Sequence, residues 1–242
     1  MNKPILMYHD VYRTSLKESG FQSDGANYYK IPESSFQEQI LQMKEFPVVF
    51  TFDDGGVSFY NIIAPLLEKH SIYGHFFIAT DRIGSEGFMT EEQIKDLHQR
   101  GHHIGSHSCS HPSDFRELSF SARTKEWYNS VLRLSKIIDE PVKEVSIPNG
   151  FLQEDDFLIF ESLGISVVYT SKLGENRQCR DIRVLGRIGI DSSLPIHRIE
   201  SLVSGGGAYK IMLMKQWILS IFKVVFGKQY IKIKAGIRKI YH

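Results

Sequence analysis

The sequence is poor in cysteine and tryptophan and carries almost no net charge. Its two cysteines, Cys109 and Cys179, are too few in 242 residues for the disulfide framework that stabilises small secreted domains. A net charge of +1 gives no general attraction to nucleic acid, and no run of aromatic residues lies among clustered arginines. We therefore expect neither a disulfide scaffold nor a nucleic-acid-binding protein.

Long apolar segments are also missing. No window offers about 20 uninterrupted apolar residues, the length that a membrane-spanning helix needs. The apolar stretch Ile5–Tyr8 is too short for the hydrophobic region of a signal peptide. The sequence alone therefore favours a cytoplasmic protein.

The remaining composition is that of an ordinary globular α/β domain, with 42% hydrophobic and 24% charged residues. Strand-like and helix-like segments alternate between residues 48 and 170, which predicts a parallel sheet with crossover helices. One helix is expected over residues 58–70, and a capping box of Thr90 and Gln93 is expected to open the next. In such folds functional side chains collect at the carboxyl ends of the strands. We expect one domain over residues 1–208, followed by a distinct segment over residues 209–242.

Two adjacent carboxylates follow one of the predicted strands. Residues 48–52 are all β-branched or aromatic and lead directly into Asp53 and Asp54. Because neighbouring residues of an extended chain point to opposite sides, we expect one carboxylate to bind a metal and the other to face the substrate.

Two histidines, His107 and His111, follow a second predicted strand at residues 102–106. At a spacing of four residues, one helical turn would put both imidazoles on one face, close enough to share an ion. Either pattern alone also fits a turn with exposed polar side chains. Together with Asp54, however, the histidines supply three nitrogen and oxygen ligands, and Asp53 adds a spare carboxylate. We therefore predict a metal-dependent hydrolase.

The same residues resemble a known family. Residues 51–55, Thr-Phe-Asp-Asp-Gly, and residues 107–111, His-Ser-x-x-His, are similar to the first two motifs of the polysaccharide deacetylase family. This family is also called the NodB-homology domain or carbohydrate esterase family 4. The resemblance runs from about residue 5 to about residue 190. It implies a deformed (β/α) barrel of about seven strands that removes an N-acetyl group from an amino sugar.

The resemblance also implies a role for each motif residue. Asp53 would be the general base, and a metal, usually zinc, would be held by Asp54, His107 and His111. The substrate would be an N-acetylated glycan.

The third family motif, Arg-x-Pro-aromatic-Gly, is altered in this chain. Residues 146–150 read Ser-Ile-Pro-Asn-Gly, so the arginine that tethers the base is missing. A backbone N–H of Asn149 or Gly150 can still stabilise an oxyanion, because this needs geometry rather than a side chain. Arg187, on a late predicted strand, is the candidate replacement tether, although a surface arginine at a strand end fits the sequence equally well.

Most members take their general acid from a Leu-x-His motif near the end of the domain, and this motif is not found after Arg187. His197 lies in the first turn of a predicted helix. The chain instead begins with an apolar strand that ends in His9 and Asp10. This order resembles the circularly permuted branch of the family, of which poly-N-acetylglucosamine deacetylases are an example. It implies that His9 is the acid and Asp10 its orienting partner.

Residues 209–242 contain eight lysines and arginines, no acidic residue, and large apolar side chains between the charges. This pattern is typical of a helix on a membrane surface, and equally of a terminal helix packed on the domain. Peripheral membrane contact would favour a lipid-linked sugar on the cytoplasmic face as the substrate.

Two other functions remain open at this stage. The altered third motif also fits a catalytically weak glycan-binding protein. The same scaffold also fits hydrolysis of another amide, such as a formamide or a cyclic amide. The sequence does not choose among these functions, because the residues that contact a sugar lie on loops without a readable code.

Overall fold

The computed structural model describes residues 3–226. The chain divides into two compact units, residues 1–200 and residues 201–242. The division that the sequence places at residue 208 rests on charge and stays a prediction. All of the sheet and both histidine-containing sites described below lie in the first unit.

The strands and helices alternate along most of the first unit. In chain order they are β1 Ile5–Tyr8, β2 Val11–Tyr12, α1 Asp24–Asn27, β3 Ile31–Pro32, α2 Glu33–Met43, β4 Val49–Phe52, α3 Ala64–Glu68, β5 His75–Ile78, α4 Glu91–Gln99, β6 His103–Ser106, α5 Phe120–Ile138, β7 Glu144–Ser146, α6 Asp156–Ser162, β8 Val167–Thr170, β9 Asn176–Cys179, β10 Ile182–Gly186, β11 Ile188–Gly189, α7 Ile196–Val203 and α8 Gly207–Phe226.

Across residues 3–226, nine strands form one curled sheet in the order β11-β1-β4-β5-β6-β7-β8-β10-β9. Its strand pairs are parallel except for β9, which runs antiparallel to β10. The predicted α/β fold with a deformed barrel is confirmed, as a half-barrel of nine strands rather than about seven. Strand β1 lies between β4 and β11, so the start of the chain joins the strand before Asp53 to the last strand of the sheet.

Local sequence signals set several helix ends. The Thr90 hydroxyl accepts from the Gln93 N–H at 3.3 Å, and the Gln93 side chain accepts from the Thr90 N–H at 3.0 Å, so the predicted capping box opens α4. The helix expected over residues 58–70 is wrong in detail. Phe59–Ile63 form a π-helical turn before the short α3. Pro65 has no N–H to donate, so the regular α-helical bonding cannot continue through that point.

Apolar side chains fill one face of the sheet. Ile5, Phe77, Val167 and Tyr169 form a buried cluster there. Gly105 lies opposite Phe77 on the neighbouring strand. A Cβ on Gly105 would stand 2.5 Å from the Phe77 ring and 2.9 Å from the backbone oxygen of Glu144, so only glycine leaves room for that ring.

We predict that Gly105→Ala destabilises the protein by about 1–3 kcal/mol, the usual cost of overpacking a core. Urea unfolding measures the change. Gly25→Ala is the matched control, because a Cβ there meets only the Ser23 hydroxyl, at 3.9 Å. Equal free energies of unfolding for the two variants would contradict the close packing of Phe77 on Gly105.

Candidate active site and metal centre

The predicted functional residues meet at the carboxyl edge of the sheet. His9 follows β1, Asp53 and Asp54 follow β4, and His107 follows β6. Arg187 lies between β10 and β11. Parallel neighbours put the carboxyl ends of these strands side by side, so residues distant in sequence share one site.

Asp54, His107 and His111 form a group suited to a metal ion. The Asp54 Oδ1 atom lies 3.4 Å from Nε2 of His107 and 3.4 Å from Nε2 of His111. The same Oδ1 atom is buried and accepts no hydrogen bond of ordinary geometry. A buried carboxylate oxygen without a donor is costly, and a cation at this position would compensate it. Two imidazoles and one carboxylate are also the donor set of many catalytic zinc sites, so these residues fit a divalent ion.

The expectation that His107 and His111 lie on one helical turn is wrong, because residues 107–111 form an irregular loop. Ser108 and His111 both have positive φ angles, 65° and 56°, which a helix does not allow. Glu126 of α5 holds the loop by accepting from the N–H groups of Cys109 and Ser110 at 3.0 and 2.9 Å. The loop still brings the two imidazoles together, with ring centroids 5.0 Å apart.

The two carboxylates also do not point to opposite sides. Asp54 adopts a positive φ of 92°, so the extended geometry ends before it. As a result Oδ2 of Asp53 and Oδ1 of Asp54 lie 4.0 and 3.4 Å from the same atom, Nε2 of His107. Both carboxylates therefore face one site.

Asp53 is held by a buried arginine. Arg187 donates from Nη1 to Oδ1 of Asp53 at 2.7 Å and from Nη2 to Oδ2 at 2.6 Å. Ser146, which stands where the family motif has arginine, accepts from Arg187 Nη2 at 2.8 Å and donates to Asp53 Oδ2 at 3.0 Å. Arg187 is 1% exposed, so it is not the surface arginine that the sequence equally allowed. The serine of the altered motif, to which the sequence assigned no role, completes this contact.

The surroundings keep Asp53 ionised. Burial by itself raises the pKa of a carboxylate, but the Arg187 guanidinium and His107 outweigh it and hold the pKa of Asp53 well below its usual value. His9 contributes to the same lowering of the pKa. Burial likewise opposes charge on His107, yet Asp53 and Asp54 raise the pKa of this imidazole.

His9 stands at the same edge of the sheet. Its Nδ1 atom is buried without a hydrogen-bond partner, and its ring centroid lies 4.7 Å from that of Tyr29. Asp10 does not orient His9, since its Oδ1 atom accepts from Ser19 at 2.5 Å and from Ser58 at 2.8 Å. His197 is exposed in the first turn of α7, as the sequence predicts.

The altered third motif forms a tight turn after β7. Asn149 has a positive φ of 55°, and its side chain donates to the backbone oxygen of Ser113 at 3.3 Å. The Gly150 N–H donates to the Ile147 carbonyl at 3.1 Å, so it already has an acceptor. Of the two predicted donors for an oxyanion, the Asn149 N–H is the one that remains.

Fold and site together define a half-barrel α/β protein with a cluster of polar side chains at the carboxyl edge of its mostly parallel sheet. The chain belongs to the polysaccharide deacetylase family, whose model matches residues 28–168. The family resemblance predicted from the first two motifs is thereby confirmed.

Three proteins illustrate the relationship. YxkH of Bacillus subtilis, a provisionally assigned polysaccharide deacetylase, is 25% identical over 202 residues, covering 79% of this chain and 72% of YxkH. The poly-beta-1,6-N-acetyl-D-glucosamine N-deacetylase of Staphylococcus epidermidis is 23% identical over 177 residues, covering 59% of this chain and 61% of that protein. The solved structure of the Streptococcus pyogenes deacetylase PplD in complex with acetate superimposes with a TM-score of 0.69 at 22% identity, covering 82% of this chain and 96% of that one.

We predict that Asp54, His107 and His111 retain close to one divalent ion per chain, most of it zinc, in protein purified without chelator or added metal. His107→Ala should lose this ion because it removes one of three ligands. Elemental analysis measures the content. The matched control is His197→Ala, which removes an exposed histidine and should keep the ion; full occupancy in His107→Ala would refute the assignment.

The two aspartates should respond differently to substitution. Asp53→Asn keeps the shape of a side chain that is not a ligand, so it should retain the ion and lose turnover. Asp54→Ala should lose both, because it removes a ligand. Metal content and release of the acyl group are measured on the same preparations. Equal loss of metal from the two variants would reverse the roles assigned to the pair.

Proposed function

We propose that this chain is a metal-dependent hydrolase that removes N-acetyl groups from amino sugars in a glycan. The single observation that carries the proposal is that an ionised carboxylate, Asp53, lies beside a group of side chains suited to a divalent ion. That group consists of Asp54, His107 and His111. Membership of the polysaccharide deacetylase family supports the reaction class. The relative from Staphylococcus epidermidis, named for poly-beta-1,6-N-acetyl-D-glucosamine, supports this class of substrate.

A divalent ion bound at Asp54, His107 and His111 would polarise the acetyl carbonyl and lower the pKa of an attacking water. Asp53 accepts the proton of that water, and Arg187 fixes both of its oxygens in the orientation that this requires. The low pKa of Asp53 keeps it in the ionised form that can accept a proton. A low pKa also makes the Asp53 carboxylate a weak base. Its contribution therefore depends on its orientation and on the lower pKa that a bound ion would give the attacking water.

Two further groups complete the proposed reaction. The Asn149 N–H stabilises the negative charge that develops on the carbonyl oxygen. His9 protonates the nitrogen of the leaving amine. The buried Nδ1 atom of His9 has no hydrogen-bond partner, so no hydrogen bond at this atom fixes the orientation of the ring. The ring contact with Tyr29 supplies part of its positioning instead.

The contact between Arg187 and Asp53 favours an enzyme over a catalytically weak glycan-binding protein. The sequence raised that alternative because the tethering arginine is missing from the third motif. A bidentate arginine on the same carboxylate supplies what the motif lacks.

The experiment is a screen for released acetate over β-1,6-linked and β-1,4-linked N-acetylglucosamine oligomers, with N-formyl analogues alongside. We expect acetate release that a chelator abolishes and zinc restores, with Asp53→Asn as the inactive control. Binding of an oligomer without any release would favour the glycan-binding protein. Release of formate alone would favour hydrolysis of another amide.

A lipid-linked glycan at the cytoplasmic face of a membrane is the more specific proposal for the substrate. Besides the basic composition of residues 209–242, it is supported by three exposed apolar side chains on α8, Ile211, Met214 and Ile218, spaced so that they share one helix face. Most of the lysines and arginines of this segment lie outside the described residues. Among residues 3–226, no helix is long and apolar enough to cross a bilayer. Sedimentation with anionic and neutral vesicles tests this proposal, and absence of binding to both would exclude it.

We predict that His9→Ala keeps the bound ion and lowers turnover by about 10²–10⁴-fold, the range typical of one general acid. The loss should be greatest for substrates whose amine is a poor leaving group, because those depend most on protonation. His197→Ala, the other histidine considered for this role, serves as the control and should keep wild-type turnover. Full turnover in His9→Ala would mean that another group delivers the proton.

A further inference from the structure

A second histidine cluster lies at the opposite edge of the same sheet. His75 is the first residue of β5, His103 the first of β6 and Glu144 the first of β7. Because these consecutive strands are parallel, their amino ends meet at one edge, and their carboxyl ends point toward the candidate active site. The cluster is therefore separate from the deacetylase site.

The three side chains are already in contact. Nδ1 of His75 lies 2.7 Å from Oε2 of Glu144. The rings of His75 and His103, which are partners in the strand register, stack with centroids 4.2 Å apart and planes 8° from parallel. One ligand atom from each of the three residues lies within 4.8 Å of the other two.

The neighbouring residues explain why these side chains converge. Side chains two apart on a strand share a face, so His75 stands on the same side of β5 as the buried Phe77. His103 stands likewise above Gly105, which lacks a side chain. The Tyr169 ring, 6.0 Å from the His75 ring and 5.1 Å from the Phe77 ring, completes an aromatic layer beneath the cluster.

We propose that His75, His103 and Glu144 bind a second divalent transition-metal ion. Two imidazoles and a carboxylate are a donor set that suits zinc, nickel or cobalt, and the carboxylate offsets part of the ion's charge. Bonds of about 2.0–2.2 Å place the ligand atoms of a tetrahedral site about 3.3 Å apart. The contact between His75 Nδ1 and Glu144 Oε2 is shorter than this, at 2.7 Å, and all three ligand atoms lie within 4.8 Å of one another. Binding through Nδ1 of His75 therefore needs a small rearrangement, in which the exposed His103 tilts and His75 carries its proton on the other ring nitrogen.

Binding here would tie together the amino ends of three consecutive strands. Such an ion binds the folded chain and not the unfolded one, so it adds to stability by mass action. The cluster is partly exposed, and its side chains must rearrange to bind an ion. It is therefore the weaker of the two sites and loses its ion when no metal is added. Its role is structural, because the Phe77 and Tyr169 rings lie between it and Arg187.

The first test is the zinc content of untagged protein equilibrated with low micromolar free zinc. We expect two ions per chain in the wild type, one in His103→Ala and one in His107→Ala. His70→Ala, which removes an exposed histidine elsewhere in the first unit, should keep two. One ion in the wild type, or two in His103→Ala, would overturn the proposal.

The second test separates this site from the deacetylase site by using His107→Ala, in which the first ion is lost. Added zinc should raise the melting temperature of this variant, and the further change His103→Ala should abolish the rise. Glu144→Gln in the same background should weaken zinc binding by at least the roughly 10-fold that loss of an outer-shell partner costs a metal site, because it removes a ligand. An equal rise in melting temperature with and without His103 would refute the site, whatever the enzyme's substrate proves to be.

Discussion

The buried pair of Arg187 and Asp53 is the interaction on which the candidate site depends. Both side chains are almost fully removed from solvent, and their two hydrogen bonds join residues that are 134 positions apart in the sequence. Removing one member of such a pair leaves an uncompensated charge and costs about 3–5 kcal/mol. The pair therefore constrains the fold as well as the chemistry.

The sheet topology makes this pairing available. Strand β1 lies between β4 and β11, so only one strand separates the segment after Arg187 from the strand that precedes Asp53. Ser146 is small enough to leave the guanidinium space and still reaches both partners with its hydroxyl. Arg187, from the segment between β10 and β11, thus takes the role that the family motif gives to an arginine at position 146. The same closure brings His9, near the amino terminus, to the shared edge.

The sequence predicted features that depend on local pattern. A run of β-branched and aromatic residues identified the strand that ends before Asp53, and Thr90 with Gln93 identified the start of α4. These predictions held because strand hydrophobicity and helix capping are decided by neighbouring residues.

Features that depend on backbone conformation or on distant contacts were not predictable in this way. The loop from His107 to His111 is not a helical turn because Ser108 and His111 adopt left-handed conformations that spacing does not reveal. Asp10 follows His9 directly but bonds to Ser19 and Ser58, since the fold brings those hydroxyls closer. The second cluster has no local signal at all. His75, His103 and Glu144 are brought together only by strand register.

The central claim is that Arg187 holds Asp53 ionised and oriented as the base. The pH dependence of kcat/KM for Arg187→Met, compared with the wild type at equal metal content, tests this most directly. Without the guanidinium the pKa of the buried Asp53 rises, so the account predicts that the acidic limb of the profile moves to higher pH and that the maximum falls. An unchanged acidic limb and an unchanged maximum would contradict it.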